Sequence, residues 1–179
     1  MLVLIIGGSG SGKSSYAEDY TIKLSKSAKK YYIATMQIYG KEGLKKVERH
    51  RKMREGKGFF TIEQPTKIQD AIEKMTKASN SECIVLLECM SNLAANEMFG
   101  EEGIQSCELV TERILCGIES LRKEVKDIVI VTNTIFEDGI TYDETTREYL
   151  KTLGYINQEL AKAADKVIEV VVGIPVILK

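Results

Sequence analysis

Residues 7–14 read Gly-Gly-Ser-Gly-Ser-Gly-Lys-Ser, and they stand between the apolar run Leu2 to Ile6 and a stretch with helical spacing that begins near Lys13. This matches G-x-x-x-x-G-K-[ST] in the strand-then-helix context that gives the pattern its meaning. The glycines let the backbone turn tightly, so that successive N–H groups point inward at phosphate oxygens, and the following helix adds the positive end of its dipole. Lys13 is expected to reach the β- and γ-phosphates, and the Ser14 hydroxyl to ligate Mg²⁺. A loop of this kind needs a parallel sheet behind it, which restricts the fold more than any other segment does.

The rest of the chain supplies such a sheet. Short β-branched runs near 2–6, 30–34, 59–62, 83–87, 127–132 and 167–172 alternate with helical patterns near 13–27, 41–55, 66–78, 104–125 and 143–163. That alternation predicts an α/β fold, a mostly parallel sheet with helices on both faces. Gly173 to Pro175 reads as a turn into a last short strand, 176–178, pairing antiparallel at an edge. With 179 residues, two prolines and no repeat or Pro/Ser-rich linker, residues 1–179 are expected to form one domain.

Composition excludes several function classes. A net charge of −1 gives no global basic field of the kind non-specific nucleic-acid binding requires. The charge is unevenly placed, however. Residues 41–57 hold eight Lys or Arg against Glu42, Glu48 and Glu55, a balance of +5 that leaves −6 elsewhere. Such a patch suits a small polyanion, and a solvated helix face is the alternative. Cys83, Cys89, Cys107 and Cys116 show no C-x-x-C spacing and read as reduced thiols. The longest near-apolar run, Val170 to Leu178, is nine residues, too short for a membrane span, and Leu2 to Ile6 is too short for a signal-peptide core. A cytoplasmic location is the expectation.

Two further positions carry chemistry. Cys83 to Glu88 is an apolar strand ending in a carboxylate, the pattern that holds Mg²⁺ beside a phosphate-binding loop; strand-end acids also serve as helix caps or surface charges. His50, the single histidine, lies in the basic segment with Lys46 and Arg54 one helical turn to either side. Neighbouring cations disfavour its imidazolium form and would leave a nitrogen lone pair for attack on an α-phosphate. An ordinary surface histidine is the other reading.

Together these residues resemble the adenosylcobinamide kinase/adenosylcobinamide-phosphate guanylyltransferase family, within the P-loop NTPase (RecA-like) superfamily. The resemblance runs nearly end to end. It includes Tyr32-Ile33-Ala34-Thr35, His50 with Arg54, Thr61-x-Glu63-x-Pro65, Leu87-Glu88-Cys89 with Asn96, Val131-Thr132-Asn133, and Gly154-x-x-Asn157-Gln158-x-Leu160-Ala161-x-x-Ala164-Asp165. It implies two reactions: phosphorylation of adenosylcobinamide by ATP or GTP, then transfer of GMP from GTP through a guanylyl-histidine to adenosylcobinamide phosphate. The implied catalytic residues are His50 and Lys13. The implied nucleotide contacts are Gly7, Gly8, Ser9, Gly10, Ser11, Gly12, Lys13 and Ser14; Ala34, Thr35 and Met36; Arg51, Lys52, Met53 and Arg54; and Glu63 and Glu88. Ser14 and Glu88 would hold Mg²⁺, and the partners implied are the corrinoid, the nucleotides and further copies of the chain in a homo-oligomer, a trimer. The chain departs from the family pattern at Gly10, at Asn133 to Phe136 and at Tyr149 to Lys151. A small-molecule kinase without guanylyl transfer and a non-catalytic GTP-binding switch are the rival readings; the sequence has no Asn-Lys-x-Asp guanine-reading motif, which argues against a standard GTPase.

Overall fold

The computed structural model describes residues 1–37, 52, 54–75, 83–100, 103–134 and 142–179. Its centre is a seven-stranded sheet made of β1 (Leu2–Ile6), β2 (Lys29–Ala34), β3 (Phe59–Glu63), β4 (Cys83–Glu88), β7 (Asp127–Val131), β8 (Lys166–Val171) and β9 (Ile174–Ile177). The spatial order is β3-β2-β4-β7-β1-β8-β9, and every neighbouring pair is parallel except β8 with β9. The antiparallel edge strand expected at 176–178 is present but starts at Ile174, because the chain reverses at Val172 and Gly173 and Pro175 already lies within β9. β5 (Phe99–Gly100) and β6 (Gly103–Ile104) form a separate short hairpin.

Strand residues alternate between two cores, because successive side chains leave a strand on opposite faces. Val3, Ile5, Tyr32, Leu86, Val129 and Ile168 pack on one face with Ala17 of α1 (Lys13–Ser25). Leu4, Ile33, Leu87 and Ile130 pack on the other, against α3 (Met90–Met98), α4 (Cys107–Glu124) and α5 (Glu144–Ala163). Both faces are thus covered, and the fully apolar central strands follow from it. Helix α4 buries Val110, Ile114, Ile118 and Leu121, a single stripe at helical spacing. It begins at Cys107 rather than at 104, because the Ser106 hydroxyl accepts from Leu109 N at 3.3 Å and caps it.

Two expectations need correction. Of the expected helix 66–78, the described part, 66–75, is a 3-10 turn at Ile68–Asp70 followed by one α turn, α2 (Ala71–Lys74), that ends before the extended Met75; 76–78 lie outside the described residues. Its start is delayed because Gln64 Nε2 donates to Thr66 O at 2.6 Å and Lys67 adopts φ 48°, a left-handed conformation that a helix cannot include. Helix α3 went unread because Cys89 supplies no side-chain cap and its buried face, Met90, Ser91, Leu93, Ala94, Glu97 and Met98, includes two polar residues while Ala95 lies on the less buried side, which weakens the amphipathic pattern. Of the expected helix 41–55, Lys52 and Arg54 are described and helical; 41–51 and 53 lie outside the described residues. No helix among the described residues is long and apolar enough to cross a membrane.

Candidate nucleotide site at the carboxyl edge of the sheet

The loop between β1 and α1 is held by its neighbours on both sides. Thr134 N donates to Gly7 O at 3.1 Å and Gly173 N to Ser11 O at 2.8 Å. Gly12 caps α1 at φ 89°, where a side chain would be strained. Gly7 is required for space, since a Cβ there would sit 2.7 Å from both Ser11 Oγ and the Val170 carbonyl oxygen. Lys13 Nζ donates back across the loop to Gly8 O at 3.0 Å. Burial pulls the Lys13 pKa below its ordinary value, opposed by the charges of Cys89 and Glu88. Burial also pushes the Cys89 thiol up, so that thiol is neutral near pH 7 and Glu88 is the counter-charge that acts.

Glu88 ends β4 beside the loop. Its Oε1 accepts a hydrogen bond from Ser14 Oγ, joining residues 74 apart in sequence, and its Oε2 accepts from Tyr32 Oη at 2.9 Å. The Arg54 guanidinium lies 3.6 Å from the centre of the Tyr32 ring. Arg54 is buried with Nε unpartnered among the described residues, so a cation stands two contacts away from the carboxylate. The segment carrying Arg54 is tied to α1 by Lys57 Nζ, 2.6 Å from the buried Glu18 Oε2. Ser11 Oγ is a second buried polar atom without a partner, inside the loop itself.

The strand register sets out the remaining candidates. Glu63, Ala34 and Glu88 stand side by side across β3, β2 and β4 at the carboxyl edge. Parallel α/β sheets bind ligands at this edge, where the strand ends and helix starts converge. Thr35 turns away from such a role: its hydroxyl donates to Cys89 O and accepts from Cys89 N, both at 2.8 Å, which holds the chain just past Glu88. The structure gathers Gly7 to Ser14, Glu88 and Arg54 at one place, with Ala34 ending β2 and Met36 following it. Glu63 lies two strands from Glu88 and is exposed. His50, Arg51 and Met53 lie outside the described residues.

Sequence reasoning gave no role to Tyr32 and Asn96. Asn96 Nδ2 donates to Thr35 O at 2.7 Å and to Pro65 O at 2.9 Å, clamping the turns that follow β2 and β3. Tyr32 reads as a plain strand residue; only its position opposite Leu86, two residues before Glu88, could have hinted that its hydroxyl reaches the carboxylate.

Hard oxygen donors dominate the cluster, and no group of three His, Cys, Asp or Glu able to hold a metal occurs among the described residues. A hydroxyl and one carboxylate side by side suit Mg²⁺, which keeps waters and takes phosphate oxygens for its other positions.

Comparison with known proteins agrees with this geometry. Among solved structures, the flagellar accessory protein FlaH of Methanocaldococcus jannaschii superposes with a TM-score of 0.51 at 14% identity, over 99% of this chain and 77% of that one. A KaiC-like protein of Pyrococcus horikoshii gives 0.51 at 15% identity, over 94% and 69%. At such identities the likeness shows a shared fold, the RecA-like P-loop architecture. The bifunctional adenosylcobalamin biosynthesis protein CobU of Escherichia coli strain K12 is 30% identical over 188 residues, covering 100% of both chains. Its counterpart CobP of Pseudomonas aeruginosa is 27% identical over 98% of this chain and 96% of that one. The profile described as cobinamide kinase / cobinamide phosphate guanyltransferase matches residues 3–178. From first strand to last, this chain belongs to that family.

Proposed function

We propose that residues 1–179 form one catalytic domain that carries out both reactions of its family, phosphorylating adenosylcobinamide with ATP or GTP and then converting the product to adenosylcobinamide-GDP. The observation that carries the reading is the meeting of Ser14 with Glu88 at the mouth of the Gly7 to Ser14 loop. In the first reaction the loop N–H groups and Lys13 hold the β- and γ-phosphates and stabilise the charge that develops on them. The acceptor hydroxyl oxygen bonds to the γ-phosphorus, the bridging oxygen leaves with the nucleoside diphosphate, and the hydroxyl proton passes to solvent. Mg²⁺, held by Ser14 and Glu88 when bound, would neutralise phosphate charge. Tyr32 keeps Glu88 turned toward Ser14, and Arg54 adds positive charge beside them.

In the second reaction His50 is the nucleophile. An imidazole nitrogen bonds to the α-phosphorus of GTP and pyrophosphate leaves; a phosphate oxygen of adenosylcobinamide phosphate then takes the GMP group and frees the histidine. Arg51, Lys52 and Met53 belong to the same nucleotide-binding segment. Glu63, Ala34, Thr35 and Met36 line the carboxyl edge where the nucleotide lies, Thr35 acting through its hold on Cys89. The proposal extends to a cytoplasmic homo-oligomer, a trimer, without nucleic-acid partners. Exposed Val172, Ile174, Ile177 and Leu178 at the β9 edge support self-association.

GTP labelled at the α-phosphate tests the second step. Wild-type protein is expected to acquire label that is labile in acid and stable in alkali, and His50→Ala is expected to lose it while still phosphorylating adenosylcobinamide. Label that persists in His50→Ala, or fails to form while the kinase step runs, reduces the protein to a kinase.

A further inference from the structure

Away from the loop, on the other side of β1 from α1, helix α5 and the sheet enclose a groove of about 840 Å³. Leu4 and Ile6 of β1 and Val167 of β8 form its floor; Leu150, Gly154 and Ala161 of α5 form its wall. The groove exists because of what α5 lacks. Its Leu153, Ile156 and Leu160 enter the core, while the neighbouring stripe carries Gly154 and Ala161, too small to fill the space between helix and sheet. That stripe belongs to the motif Gly154-x-x-Asn157-Gln158-x-Leu160-Ala161 found in the sequence, and the nucleotide site uses none of it.

The groove leads to the phosphate-binding loop. Ile6 runs directly into Gly7, and Thr134, which also lines the groove, donates its N–H to Gly7 O at 3.1 Å. Asn157 is fixed at the same end, its Oδ1 accepting from Thr132 Oγ1 at 2.8 Å, which leaves Nδ2 to donate to a ligand. Gln158, Lys151 and Tyr155 stand at the rim. An apolar floor with carboxamides at its margin matches a broad, largely apolar macrocycle fringed with amides, and the volume falls within the range of roughly 300–1,000 Å³ usual for small-molecule sites.

We propose that this groove binds the corrin ring of the acceptor, with the hydroxyl arm of adenosylcobinamide reaching over Ile6 and Thr134 to the phosphates. The inference rests on the proposed corrinoid acceptor. Asn157 and Gln158 would pair with the ring's amide side chains, and the ring would lie over the half-buried Ile6 and the small residues of α5.

Gln158→Trp tests it, since Gln158 is exposed and a larger side chain there obstructs the groove without entering the core. Tyr155→Ala, also at an exposed position, is the second variant. The KM for adenosylcobinamide is expected to rise roughly tenfold or more. The KM for GTP, the yield of guanylylated protein formed without corrinoid, and the elution volume in gel filtration should match wild type. A corrinoid KM within about twofold of wild type in both folded variants overturns the assignment. A parallel rise in the KM for GTP gives the groove to the nucleotide, and a changed elution volume gives it to a subunit contact; either also overturns it. Wild-type protein that forms the GMP adduct but phosphorylates no adenosylcobinamide overturns the functional reading instead, and the groove assignment with it.

Discussion

Gly7 and Gly8 are adjacent in the same loop, yet alanine should act on them in opposite directions. A Cβ on Gly7 would stand 2.7 Å from Ser11 Oγ and 2.7 Å from the Val170 carbonyl oxygen, while a Cβ on Gly8 meets no atom within 4 Å. The serine can yield by rotating, since its hydroxyl has no partner among the described residues to lose. The carbonyl cannot, because Val170 lies within the β8–β9 pairing. The contact is about 0.6–0.9 Å too short for carbon and oxygen, so the loop must move away from β8. Overpacking of this kind costs about 1–3 kcal/mol. Replacing glycine where φ is permissive returns about 0.4–1 kcal/mol by restricting the unfolded chain, and neither residue has a positive φ. Gly7→Ala is therefore expected to lose up to about 2.6 kcal/mol, a fall in Tm of up to about 10 °C for a domain of this size. Gly8→Ala should be neutral or gain a few degrees. Thermal unfolding without nucleotide measures both. Equal shifts in the two variants, or a stable Gly7→Ala, would refute the steric argument and the fit of the loop against β8.

Tyr32→Phe removes the 2.9 Å hydrogen bond to Glu88 Oε2; Glu88 is half-buried, so water replaces part of the loss, and a penalty near 1.4 kcal/mol, about tenfold, is expected in the Mg²⁺ concentration for half-maximal turnover. A Mg²⁺ titration identical to wild type would remove the positioning role from Tyr32, and Tm distinguishes that role from a folding defect. Asp165 accepts from Leu2 N at 2.6 Å, a bond that holds its carboxyl below the ordinary value of 3.8. A depressed acid stabilises the fold above its ordinary pKa and stops doing so as the pH falls through the folded value. Asp165→Asn should therefore lower Tm near neutral pH, with the gap to wild type closing below pH 3.8; a gap that stays constant with pH would show that charge plays no part.

The Gly7 to Ser14 loop was legible in sequence because its function is written in adjacent residues: the glycines, lysine and serine act through backbone that they themselves shape. The strands were legible for a similar reason, since burial on both faces leaves continuous apolar runs, and so was the edge strand, since Gly173 at φ 84° lets the chain reverse within two residues. Tertiary structure decided what depends on contacts between distant segments. Glu88 at a strand end could have been a surface acid until β4 was placed two strands from β1, where Ser14 and Tyr32 both reach it. Helix α3 escaped notice because Ser91 and Glu97 sit on its buried face, so polarity and burial do not coincide along it. The groove under α5 was equally hidden: Gly154 and Ala161 read as ordinary helix residues, and only the packing of α5 against β1 and β8 turns their small size into space. Local backbone chemistry repeats in any context, whereas packing exists only once the chain has folded.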